Sequence, residues 1–178
     1  FAPGLPRSTA RARAASGPGH GPGYRIRKAR DDDMPWIALT VTSMIMSPFG
    51  LSAPNFLVAE QAFGSERLGF AQLRSLTEDS GPFLLASLFV TPAARGQGIA
   101  TELVLQLLEN KQRSSARCPV YALTLKNKLG FFQRLNFREL QGAETKELPQ
   151  SLALEAQLGR FIAPLAAGEP LIVLRNDG

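Results

Sequence analysis

The chain has 178 residues, 44% of them hydrophobic, which is enough for one domain with a sizeable core and too little for two. Its formal charge of +5 is not spread evenly: residues 1–30 hold seven of the 20 basic groups and none of the 15 acids, leaving 13 basic against 15 acidic groups, a net −2, on residues 31–178. With the basicity confined to one end and no aromatic-basic interleaving, no nucleic-acid partner is expected; a lone Cys118 and a lone His20 give neither a disulfide nor a metal-ligand set, so no metal is expected either.

Residues 1–23 are built from Ala, Gly, Pro, Arg and Ser, with nothing periodic to bury, and are expected to form a disordered basic leader. Arginine and hydroxyl residues without acids are the composition of an organellar transit peptide, and the start at Phe1 suggests a longer precursor. The alternative is a plain extension on a cytoplasmic protein. No window reaches the roughly 18 apolar residues of a membrane span, so no membrane partner is expected.

The folded part is expected over 24–178. Tyr24 to Lys28 alternate with period two as a first strand, and Asp31-Asp32-Asp33 start a helix whose apolar stretch runs over 34–46. Ser47-Pro48-Phe49-Gly50 breaks it. Strands at Asn55–Glu60 and Leu68–Leu73 form a hairpin around Phe63-Gly64-Ser65. The near-continuous apolar run of residues 83–90 is a central strand covered on both faces. A turn over Thr91–Gly98 leads into a helix from Ile99 to Lys111 with Ile99, Leu103, Leu107 and Leu108 on one face. Val120–Leu125 follows as a parallel crossover strand. Residues 127–135 are expected helical, 137–141 extended, 151–162 helical and Leu171–Arg175 a last strand.

A glycine loop between a buried strand and a helix is a device for anions, because glycine lets the backbone come close and the helix start offers unbonded N–H groups. Three kinds of loop use it. A P-loop needs a Lys before its Ser or Thr, and none precedes Thr101; a dinucleotide fingerprint needs three glycines, and only Gly96 and Gly98 match. The run Val90-Thr91-Pro92-Ala93-Ala94-Arg95-Gly96-Gln97-Gly98-Ile99-Ala100 instead resembles the acetyl-CoA signature of the GNAT superfamily, [QR]-x-x-G-x-[GA], with Arg95, Gly98 and Ala100 at the defining positions. The resemblance extends over about residues 24 to 141 and includes Phe131 to Phe137, which is similar to the family's [FY]-[YF]-x-[KR]-x-G-F, with Asn136 in place of the usual Gly.

The resemblance implies an α/β fold with a central mixed sheet of about six to seven strands flanked by helices, and acetyl-CoA as cosubstrate. It implies that Gly96, Gln97, Gly98, Ile99, Ala100 and Thr101 hold the pyrophosphate and that Leu88, Phe89 and Val90 carry the pantetheine arm, where a bulge splays the strand from its neighbour. Lys126, Asn127 and Lys128 would meet the outer phosphates or the adenine end, or else form a solvated helix start.

The chain also departs from the family. Phe132 lies along the cofactor at the position where the family often has a Tyr to protonate the leaving thiolate, and Leu125 stands where an Asn is usual. Ser87 occupies a place where some relatives have an acid. Tyr121 is the candidate replacement acid, its alternative being an aromatic that packs the sheet. Glu60 is a candidate to hold a catalytic water, or a strand-end carboxylate facing solvent; Cys118 is expected in the core. The apolar loop Met46–Leu51 either shapes an acceptor groove or packs on the core.

Weak base machinery favours an acceptor that is already partly neutral, and α-amines titrate about 2.5 pH units below lysine ε-amines. By resemblance, plastid GNAT enzymes with processed basic leaders act on protein N-termini and lysines. The expected protein is therefore a monomeric protein N-acetyltransferase, in the chloroplast rather than the mitochondrion. The alternatives are a small-molecule amine acetyltransferase and a non-catalytic acyl-CoA-binding module.

Overall fold

The computed structural model describes residues 23–77, 81–114 and 118–178. Residues 1–22 of the expected leader, His20 among them, lie outside the described residues. Seven strands form one mixed sheet in the order β1-β2-β3-β4-β5-β7-β6: β1 Tyr24–Lys28, β2 Phe56–Gln61, β3 Arg67–Ser75, β4 Phe83–Val90, β5 Val120–Leu125, β6 Arg138–Glu139 and β7 Leu171–Asn176. Only β4 and β5 are parallel, joined by helix α2, Ile99–Ser114. The other pairs are antiparallel, as short connections allow.

Both faces of the sheet are covered, which is why β4 is apolar on both sides. On one face α2 sets Ile99, Leu103, Val104 and Leu107 against Leu57, Ala71, Leu85 and Ala122, and α3, Leu129–Gln133, adds Phe132. On the other, α1, Met34–Ser43, lays Ile37 and Val41 on Phe56, Val58 and Phe70, while α4, Gln150–Ala167, lays Leu152 and Ala156 on Leu84, Tyr121 and Val173.

Several boundaries differ from the expectation for local reasons. Asp31–Asp33 form a 3-10 turn ahead of α1. Helix α1 stops at Ser43 and not at 46, because Ile45 turns left-handed (φ 53°) and Met46 N–H donates back to Val41 O at 2.9 Å, a Schellman closure. The helix expected over 127–135 divides into a 3-10 turn, Lys126–Lys128, and α3, and the extended 137–141 shortens to β6. Helix α4 passes Pro164 and ends at left-handed Gly168.

Asn136 has φ 62°, and Phe137 N–H donates to Phe132 O at 3.1 Å, so α3 also ends in a Schellman closure. Asn is the side-chain-bearing residue that best tolerates this conformation, which explains its presence where the family has Gly. The closure brings the Phe137 ring to 5.5 Å from that of Phe132.

An ion network ties the first three strands to the start of α1. Glu60 accepts from Arg25 Nε and Arg27 Nε, both at 2.7 Å; Asp33, only 1% exposed, accepts from Arg27, from Arg67 Nε at 2.7 Å and from Arg30 N–H at 2.8 Å. Neither of the roles open for Glu60 on sequence fits this setting: it is buried and both its oxygens are taken. Burial pushes the Asp33 carboxyl up, but the bonds from Arg27, Arg67 and Arg30 outweigh it and hold the group well below the usual carboxylate range. Burial raises Glu60 likewise, and Arg27 and Arg25 bring it down.

Two outcomes follow. Because both folded-state pKa values are depressed, their stabilisation is complete above the unfolded-chain values and is lost as pH falls below about 4. Asp33→Asn should lower stability at pH 7 and shrink the difference in urea midpoint between pH 7 and pH 3. Asn136→Ala should cost about 1 kcal/mol in urea unfolding, whereas Asn136→Gly should cost nothing.

Candidate functional site

The sheet is divided at its middle. β4 and β5 pair only over Phe83–Leu85 and Val120–Ala122. A bulge at Ala86 follows, since Gln72 faces Ser87 while Leu73 faces Leu85. Beyond it β4 stays with β3, up to Gly69 opposite Val90, and β5 stays with β7, up to Leu125 opposite Leu171. Each half keeps its antiparallel partner, so a cleft opens between Ala86–Val90 and Leu123–Leu125. Leu88, Phe89 and Val90 line it half-buried, as the expected arm-binding strand would.

The cleft leads to the glycine loop. Ala94 (3% exposed) and Ile99 (1%) are buried at its two ends, and Arg95, Gly96, Gln97 and Gly98 between them are exposed. Gly96 (φ 80°) and Gly98 (φ 81°) are left-handed, and a Cβ on either would meet nothing within 4 Å, so backbone conformation and not crowding requires glycine. Among the described residues, no backbone bond outside the helices uses the N–H groups of Gly96, Gln97, Gly98, Ile99, Ala100 or Thr101. The first N–H groups of α2 have no acceptor within the helix, whose dipole stands behind them. Arg95 Nε turns back to Val90 O at 3.2 Å and fixes the loop to the end of β4. A row of unspent amides beside a parted strand edge fits a diphosphate ester with an extended arm.

The remaining sequence-predicted residues are scattered. Asn127 and Lys128 lie exposed in the turn after β5, and Lys126 pairs with Glu139 at 2.5 Å. Phe132 belongs to the α2-side cluster against which Leu88 and Val90 pack, with its ring 5.1 Å from that of Phe131. Tyr121 lies in the closed part of the β4–β5 pair opposite Leu84, 6% exposed among Leu140, Leu152 and Val173, with the Arg175 guanidinium 5.9 Å from its ring. Its surroundings are those of the packing aromatic. Cys118 is half-buried just before β5. Among the described residues no three His, Cys, Asp or Glu side chains form a metal-ligand set.

Sequence reasoning missed a polar cluster beside the cleft, made of Gln72 and Arg74 on β3, Ser87 on β4, Ser47 and Glu155. Ser47 and Glu155 are 108 positions apart, so only folding joins them. The available signal was Gln72 and Arg74, polar side chains that share a face with buried Phe70.

Residues 52–139 match the family model described as the acetyltransferase (GNAT) domain. Among proteins of curated function, none matches the sequence. Solved structures do match. N-acetylglutamate synthase from Neisseria gonorrhoeae, complexed with coenzyme A and N-acetyl-glutamate, superposes with a TM-score of 0.66 at 19% identity over 86% of this chain, which spans only 34% of the synthase. Rv2747 from Mycobacterium tuberculosis, in complex with CoA and NLQ, gives 0.62 at 25% identity over 84% of this chain and 97% of its own. Arabidopsis thaliana Naa50, in complex with the bisubstrate analogue CoA-Ac-MVNAL, gives 0.62 at 12% identity over 88% and 99%. With the domain matched and its seven-stranded sheet parted beside the signature loop, the chain belongs to the GNAT family.

Proposed function

We propose that the protein is an acetyl-CoA-dependent N-acetyltransferase whose acceptors are α-amines, protein N-termini first and lysine side chains second. The observation that carries the reading is the parted β4–β5 pair ending at a loop of unspent backbone amides. Those amides, from Gly96 to Thr101, would hold the pyrophosphate, and the open edge of Leu88 to Val90 would hold the arm. Acetyl-CoA supplies an activated thioester. The amine nitrogen bonds to its carbonyl carbon, the carbon–sulfur bond breaks, the nitrogen gives up a proton and the thiolate takes one.

The chain's proton-handling groups are few. Ser87 Oγ donates to Gln72 Oε1 at 3.3 Å, Glu155 is paired with Arg74, and Phe132 has no proton to give. Such a site depends on the acceptor's own neutral fraction, which near pH 7 is about 300-fold larger for an α-amine than for a lysine. The peptide portion of the Naa50 analogue supports a polypeptide acceptor, while N-acetyl-glutamate in the synthase supports a second reading, a free amino acid. A chloroplast address rests on the composition of residues 1–23 alone.

The test is acetyl-CoA consumption with one peptide pool bearing free α-amines and a second blocked at the N-terminus but containing lysine. Turnover is expected on both, at least tenfold faster on the first at pH 7. Gly98→Val forces a side chain into a left-handed conformation, a strain of about 1–3 kcal/mol, and should weaken acetyl-CoA binding about tenfold or more by calorimetry. Binding without turnover on any amine would leave the non-catalytic module.

A further inference from the structure

The sheet face away from α2 carries the polar cluster, and none of the roles above uses it. Gln72 is fully buried on β3 (0% exposed), and a buried amide is tolerated only when bonded. Its Nε2 donates to the carbonyls of Phe49 (3.1 Å) and Gly50 (2.7 Å), and its Oε1 accepts from Ser87 Oγ (3.3 Å). Two positions along, Arg74 pairs with Glu155 of α4, and Glu155 Oε2 accepts from Ser47 Oγ at 2.8 Å. The segment from 44 to 51 is thus tied to α4 at residue 47 and to β3 at residues 49 and 50. Gly50 is left-handed (φ 67°), and a Cβ there would stand 2.7 Å from Arg74 Cδ, so this backbone rests on the arginine stem. Ser87 follows the bulge, and the ties therefore hold the loop beside the cleft.

The side chains of this fixed loop divide. Met46 and Leu51 pack into the cluster beneath α1, whereas Met44, Ile45 (62% exposed) and Phe49 (53%) point to solvent. Ile45 does so in a left-handed conformation that β-branched residues avoid. Facing them, α4 exposes Leu154 and Leu158, which neighbour Glu155 on the helix surface. Two apolar walls flank one polar clasp.

We infer that the Met44–Leu51 loop is the specificity wall of the acceptor site, and that it selects polypeptide N-termini whose first side chains are apolar. The inference rests on the N-acetyltransferase reading. A peptide with its α-amine directed at Ser87 would bury such side chains between Phe49 and Leu158. A free amino acid is too short to touch both walls. Gln72 is a positioning residue, because it holds the wall and meets the thioester strand only through Ser87.

The experiment measures kcat and KM of the full chain for equal-length peptides with a free α-amine and either Leu or Ser at the second and third positions, and for free amino acids. Burial of one such side chain predicts a roughly ten- to hundredfold lower KM for the Leu peptide. Phe49→Ser, a surface change, should bring that KM up to the level of the Ser peptide, and Gln72→Met should raise it more than it lowers kcat. Equal KM for the two peptides, or a preference that survives Phe49→Ser, overturns the inference and leaves the N-acetyltransferase reading standing. Turnover confined to free amino acids overturns the inference as well. No turnover on any amine overturns both.

Discussion

A parallel strand pair that closes at one end and parts at the other is the constraint on which the rest of this molecule depends. β4 is held to β3 and β5 to β7 by antiparallel ladders that run on past the bulge at Ala86, and these ladders diverge. The parallel contact between them lasts only three residue pairs. Parallel pairing is slightly weaker per residue than antiparallel pairing, so the weaker of the competing contacts yields. A cleft results without any residue being removed from the sheet, and backbone groups along it are left unpaired where an extended ligand can reach them.

Everything around the cleft serves to keep it in place. Buried Ala94 and Ile99 anchor the glycine loop at its mouth, with α2 packed across β2 and β3 behind it. On the opposite face the clasp of Gln72, Arg74 and Glu155 fixes the loop after α1. The network of Asp33 and Glu60 with three arginines fastens β1, β2 and β3 to the start of α1, away from the parted strands. Buried ion pairs of this kind add little over well-packed apolar residues. What they provide here is a fixed relation between elements that carry the site.

The departures from the family's sequence have different standings in the structure. Asn136 replaces Gly with no change of geometry, since it takes the same left-handed turn and lets Phe137 pack on Phe132. Phe132 keeps the ring and loses the hydroxyl, which changes chemistry and not packing. Tyr121 was attractive because it is a phenol on the strand next to the signature. Strand periodicity alone does not say how far two strands stay paired, and three paired residues put this phenol at the closed end, under α4.

The sequence by itself determined the order of strands and helices, the signature loop, the apolar face of α2 and the family, because each depends on contacts or conformations within a few residues. Pattern of period two or 3.6 and the need for glycine at positive φ are local matters. Only the tertiary structure decided where β4 and β5 part, how Glu60 and Asp33 are spent, and that Ser47, Gln72, Arg74 and Glu155 meet. These depend on pairings 15 to 108 residues apart in the chain. The hydrogen-bonding needs of a buried polar group say that partners must exist, and not which distant residues supply them.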